Sequence, residues 1–185
     1  VKGLLQTQSD GTTRMMDFFD EQRMSRLYEK FILEYYRREH PRLRASASFV
    51  EWALDDDMSE GLPAMRSDIT LSAGGRVLII DAKYYASTMQ SNFDKRTVHS
   101  GNLYQIFAYV KNKQIAFERA GESVEVSGML LYAATDEEVQ PDATYRMSGN
   151  RISATTLDLD RPFEEIRAQL DGIADMLTSP SAPAS

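Results

Sequence analysis

MRSDITLSAGGRVLIIDAK, residues Met65–Lys83, reads as a β-hairpin. Met65–Leu71 and Arg76–Lys83 are runs rich in Ile, Val, Leu and Thr, and Ser72-Ala73-Gly74-Gly75 supplies the turn. With the loop at 72–75, Leu71 faces Arg76 and Asp68 faces Ile79. Strand side chains alternate faces, so Asp68, Asp81 and Lys83 project from one side. Asp68 and Asp81 become diagonal neighbours with backbones roughly 7–8 Å apart. Two carboxylates so placed repel each other unless a cation lies between them. Magnesium uses few, hard oxygen ligands of this kind when it also holds a phosphate. Lys83 is placed to stabilise a phosphate or orient a water. Asp81 and Lys83 could instead be the solvated face of an edge strand. Against that, Val77-Leu78-Ile79-Ile80 is apolar on both faces, like a central strand, yet ends in Asp-Ala-Lys.

The 185 residues, 42% hydrophobic and 26% charged, suit one globular α/β domain with appendages. There is no cysteine, so disulfides, zinc–thiolate sites and thiol catalysis are excluded, and two histidines are too few for a His-rich metal centre. Any metal work falls to carboxylates. No run is long enough for a membrane span and no signal peptide is visible, so a cytoplasmic protein without membrane partners is expected. A net charge of −7 opposes general affinity for nucleic acid but leaves room for a local basic groove.

Outward from the hairpin, residues 1–16 read as a short strand and turn, a linker ending a preceding region, because the chain opens on Val inside an apolar run. Residues 17–178 form the expected domain, and 179–185 a disordered tail. Asp17–Glu39 is helical, with Met24, Leu27, Tyr28, Phe31, Ile32, Tyr35 and Tyr36 as the inward stripe and Pro41 as the stop. Glu29 borders that stripe, either aimed at the carboxylates or hydrating the helix flank. Residues 45–54 read as a strand anchored by Phe49 and Trp52, and Asp55–Asp57 as a solvated turn. Residues 86–100 have no periodicity and read as a long loop. Asn102 is the expected N-cap of a helix running to about Arg119. Gln105 and Tyr109 share one face of it. They either pack as a helix flank or hydrogen-bond toward the site. Val126–Ala134 is a strand parallel to Arg76–Lys83. A hairpin over 143–147 and 151–158 follows, then a helix over 161–177 with Phe163, Ile166, Leu170, Ile173 and Leu177 inward.

The order helix with Glu29, strand, Asp68 hairpin, Asp81-x-Lys83, then a helix with Gln105-x-x-x-Tyr109 resembles the PD-(D/E)XK restriction-endonuclease-like core, a mixed central β-sheet flanked by helices. Leu27-Tyr28-Glu29-Lys30-Phe31, Gly61-Leu62-Pro63, Ser67–Leu71, Ile80-Asp81-Ala82-Lys83-Tyr84-Tyr85 and Ser100–Ile106 with Ala108-Tyr109-Val110 are similar to the McrC subunits of McrBC restriction systems. That resemblance implies a Mg²⁺-dependent endonuclease, with Mn²⁺ able to substitute, that cuts double-stranded DNA carrying modified cytosine. It implies a McrB-type AAA+ GTPase partner, with GTP entering only through that partner. Asp68, Asp81, Lys83, Glu29, Gln105 and Tyr109 are then the expected catalytic residues. Asp68, Asp81, Glu29 and the carbonyl of Ala82 are the expected metal ligands, and Lys95, Arg96 and His99 the expected DNA contacts. Ser67 stands where the family motif has Pro, a departure expected to matter little. Alternatives are a RecB-like or structure-specific nuclease unlinked to methylation, and a non-catalytic adaptor.

Overall fold

A computed structural model describes residues 2–56, 58–85, 89–92 and 95–179, with side chains from residue 20 onward except at 89–92, 95 and 96. In chain order the elements are α1 (Lys2–Glu39), β1 (Phe49–Val50), β2 (Met65–Arg66), β3 (Ile69–Ala73), β4 (Arg76–Lys83), β5 (Met89–Asn92), β6 (Lys95–Val98), α2 (Ser100–Arg119), β7 (Glu125–Ala133), β8 (Ala143–Met147), β9 (Asn150–Leu157) and α3 (Phe163–Thr178). β3-β4-β7-β9-β8 form a mixed five-stranded sheet. β4, β7 and β9 run parallel, and β3 and β8 are antiparallel to their neighbours. The parallel β4–α2–β7 unit follows from two apolar runs separated by a periodic helix.

The alternation along β4 divides the core. Leu78, Ile80 and Ala82 pack with Tyr28, Ile32 and Tyr36 of α1 and with Ile166, Leu170, Ile173 and Leu177 of α3. Val77 and Ile79 face the other way, with Leu130, Ile152 and the α2 residues Ile106 and Val110. Asp81 and Lys83 continue this second series, so they emerge on the α2 side. α1 and α3 are tied by tyrosine hydroxyls. Tyr36 donates to the Leu170 carbonyl at 3.1 Å and Tyr35 to Asp171 Oδ1 at 2.5 Å, while His40 Nε2 lies 2.6 Å from that oxygen. The Asp171 carboxyl is held below its usual range, first by the Tyr35 hydrogen bond.

Several expectations need correction. Residues 2–16 are helix rather than strand and turn. A five-residue apolar run does not separate the two periods, and a helix nucleated further on extends at one hydrogen bond per residue. Met24 and Leu27 are exposed because α1 meets the sheet through the narrower stripe of Tyr28, Ile32, Tyr35 and Tyr36. Of 45–54 only Phe49–Val50 is strand, paired with Met65–Arg66. Phe49 is exposed beneath the Arg66 guanidinium, 5.8 Å from the ring centroid. Trp52 does pack against the α2-side core, its indole N–H donating to Pro63 O at 2.8 Å. Within the stretch expected to be a loop, Met89–Asn92 and Lys95–Val98 pair as two antiparallel four-residue strands. Their polar residues carry no apolar alternation to announce it. Phe163 is exposed at the start of α3, whereas its four expected inward partners are buried. The hairpin around Ser148-Gly149 is as expected, with both turn residues at positive φ, 48° and 89°. The tail beyond 179 and Asp57 lie outside the described residues.

Candidate active site

Strand pairing brings the key carboxylates together. Ile69 pairs with Ile80 and Ala73 with Arg76 across a Gly74-Gly75 turn, so the register is offset by two residues from the expected one. An even offset preserves the faces. It sets Asp68 level with Asp81 rather than diagonal to it. Asp68 lies just before β3, and its Oδ2 accepts the Ala82 backbone N–H at 2.9 Å, which fixes the carboxylate against β4.

Asp81 is buried at the C-terminal end of a central strand. Burial, helped by the neighbouring Asp68 charge, pushes its carboxyl up to about 7 despite the opposing pull of Lys83. Lys83 Nζ lies 2.8 Å from Asp81 Oδ2, an ion pair. That oxygen is nevertheless buried without a properly directed hydrogen bond. Burial, the largest single influence, would lower the Lys83 ammonium, but the Asp81 contact together with the Tyr85 and Asp68 charges outweighs it and holds it above its ordinary range. Lys83 donates to Gln105 Oε1 at 3.2 Å, and Gln105 Nε2 donates to the Tyr109 hydroxyl at 2.9 Å. Gln105 and Tyr109, expected to share a helix face, therefore steer the lysine from α2.

Glu29 approaches from α1. Its carboxyl is raised by partial burial and then by the Asp68 charge, with Ser25 donating a partly compensating hydrogen bond at 3.2 Å. Glu29 and Asp68 both line a cleft of about 280 Å³. Among the described residues no three His, Cys, Asp or Glu groups are already disposed as a metal-binding cluster. The nearest approach to one is the Asp68–Asp81 pair beside Lys83. Two carboxylates and a carbonyl suit a hard cation that keeps several of its own waters.

The remaining expected residues are less central. His99 packs on Tyr85 with ring centroids 5.6 Å apart, and its Nε2 is buried and unpartnered, which turns that nitrogen away from solvent. The side chains of Lys95 and Arg96 lie outside the described ones. Asn102 is no cap: α2 begins at Ser100, and the buried Asn102 accepts from Tyr85 Oη at 3.3 Å and donates to Tyr132 Oη at 3.1 Å. Tyr132 pairs with Lys83 in the β4–β7 register, so this network backs the site. Sequence reading passed over it because Tyr132 looks like one more apolar strand residue and Asn102 like a helix start. Ser67 also has a task. It is buried, donates to Ser48 O at 3.1 Å and sits 2.8 Å from Thr70 Oγ1, pinning residues 46–48 beside β3 just before Asp68.

Among the described residues no helix is long and apolar enough to cross a membrane. Residues 10–133 match the family model described as "McrBC 5-methylcytosine restriction system component". The chain is 32% identical over 179 residues to the "Type IV methyl-directed restriction enzyme EcoKMcrBC" of Escherichia coli (strain K12), covering 95% of this chain and 49% of the relative. It thus spans about half the length of that relative. Bearing the expected McrC resemblance, with its paired carboxylates and lysine at the end of a central strand, the chain belongs to the McrBC 5-methylcytosine restriction system component family.

Proposed function

We propose that this chain is the nuclease portion of a modification-dependent restriction system, with a PD-(D/E)XK core that hydrolyses DNA phosphodiester bonds. The observation that carries the reading is the convergence of Asp68, Asp81 and Lys83 at the end of β4, with the buried Asp81 Oδ2 against the Lys83 ammonium. Asp68 and Asp81 would hold Mg²⁺, with the Ala82 carbonyl and Glu29 as further oxygen donors. When bound, Mg²⁺ neutralises phosphodiester charge and makes water more acidic. Lys83, fixed by Gln105, orients the attacking water and faces the charge that builds on the phosphate. Tyr109 holds Gln105 in the rotamer that does this. The Ala82 N–H keeps Asp68 from swinging toward solvent. Recognition of the modified base and GTP hydrolysis belong to a McrB-type AAA+ partner.

The test is cleavage of methylated and unmethylated plasmid in Mg²⁺, with and without the GTP-hydrolysing partner. Methylation-dependent cutting that requires the partner and disappears in Asp81→Asn is the expected result. Cutting that survives in Asp81→Asn, or that ignores methylation in the presence of the partner, overturns the assignment.

A further inference from the structure

The turn of α1 that presents Glu29 also carries Arg26 and Lys30. Being four residues apart, they sit one above the other on the helix, about 6 Å along its axis. Arg66, at the end of β2 and two residues before Asp68, faces them across the same cleft. All three are exposed. Among the described residues none of the three forms an ion pair. Arg66 only stacks over Phe49, and Arg26 acts on Glu29 as the weakest of its electrostatic influences. Three unneutralised cations around one cleft are notable in a chain of net charge −7. Two of the cleft's other walls are Glu29 and Asp68, so anything gripped by these cations lies against the carboxylates.

We infer that Arg26, Lys30 and Arg66 form a phosphate-gripping strip that guides the backbone of a DNA duplex past Asp68 and Asp81. This rests on the nuclease reading and adds binding residues to it. Cations on a helix face and a strand end contact phosphates without reading bases, so the strip positions the duplex and carries no sequence preference. Guanidinium groups can bridge two phosphate oxygens, which suits Arg at two of the three places. Arg66 has a further advantage, since its stack on Phe49 limits the freedom lost on binding.

The experiment measures binding of the full chain to a fluorescein-labelled duplex across a salt series, with Ca²⁺ replacing Mg²⁺. Cleavage of methylated duplex in Mg²⁺, with the GTP-hydrolysing partner present, is measured in parallel. Arg26→Gln with Lys30→Gln should weaken binding roughly tenfold and lower the slope of log affinity against log salt by roughly 2, because each lost phosphate contact removes about 0.9. Arg66→Gln alone should lower it by about 1, and Arg66→Lys should restore the slope. Arg146→Gln on β8, at the opposite edge of the sheet, should leave both quantities unchanged. Cleavage by the parent chain with unchanged binding and salt slope in the Arg26, Lys30 and Arg66 variants overturns the strip and leaves the nuclease reading standing. Duplex binding that depends on these residues without any cleavage supports the strip and counts against the nuclease reading. Failure of the parent chain both to bind and to cut overturns the two together.

Discussion

Replacing Gly128 by Ala tests the packing that delivers α2 to the site. Gly128 lies on β7 beneath α2, and a Cβ there would fall 2.8 Å from Ile106 Cγ1, 2.8 Å from Val110 Cγ2 and 3.3 Å from Ile106 Cδ1. Ordinary contact begins at 3.4 Å. Both close neighbours are β-branched, fully buried and on a helix, where χ1 is stiff, so neither can rotate aside. The helix must therefore retreat by about half an ångström or the side chains must leave their rotamers, a change expected to cost about 1–3 kcal/mol. Urea denaturation should show that loss as a lower midpoint at unchanged m. Val110→Ala removes one of the two obstructing carbons, so in combination it should recover part of the loss, with a coupling of about 0.5–2 kcal/mol. Because α2 also carries Gln105, the 3.2 Å contact with Lys83 should loosen, and cleavage should fall along with stability. A Gly128→Ala protein within about 0.5 kcal/mol of the parent, and uncoupled to Val110→Ala, would refute the close-approach reasoning.

Asp81→Asn and Lys83→Gln should each lower cleavage at least about 100-fold while far-UV circular dichroism stays unchanged; residual nicking near the parent rate would count against their roles. In metal-free buffer, Asp81 holds its proton in the folded state up to about 7, above the ordinary carboxylate range, so ionising it disfavours folding. Stability should fall as pH rises from about 4 to about 7, with Glu29 acting in the same sense. Asp81→Asn should flatten that slope in denaturation at several pH values, and an equal slope in the variant would exclude Asp81 as its source. Tyr36→Phe removes the donor to the Leu170 carbonyl and should lower stability by about 1 kcal/mol in the same denaturation assay. An unchanged midpoint would show that this bond does not tie α1 to α3.

The sheet's centre was legible because Val77–Ile80 and Val126–Ala133 are apolar on both faces, and Gly74-Gly75 marks the reversal between β3 and β4. The exact pairing was not legible, since a loop of two or four residues fits the same four letters. The candidate site survived that ambiguity because a two-residue offset leaves Asp68 and Asp81 on one face. Helical spacing alone showed that Gln105 and Tyr109 share a face, but not that Gln105 reaches Lys83. Asn102, Tyr85 and Tyr132 were not, because a polar contact between a helix start and a strand 30 residues away leaves no periodic trace. Residues 45–54 were expected as one strand anchored by Phe49 and Trp52, but only Phe49–Val50 is strand, because the hold on 46–48 is hydroxyl-based, through Ser48, Ser67 and Thr70, rather than apolar.

The buried ion pair of Asp81 and Lys83 has an evolutionary corollary. Chains that merely had to fold would do better with two aliphatic side chains at these positions, since a buried charge pair adds little net stability. Any descendant relieved of the proposed nuclease role should therefore drift there first, gaining thermal robustness as it loses the acid and the amine. Sequencing inactive lineages would reveal whether positions 81 and 83 turn hydrophobic before the surrounding strand changes at all.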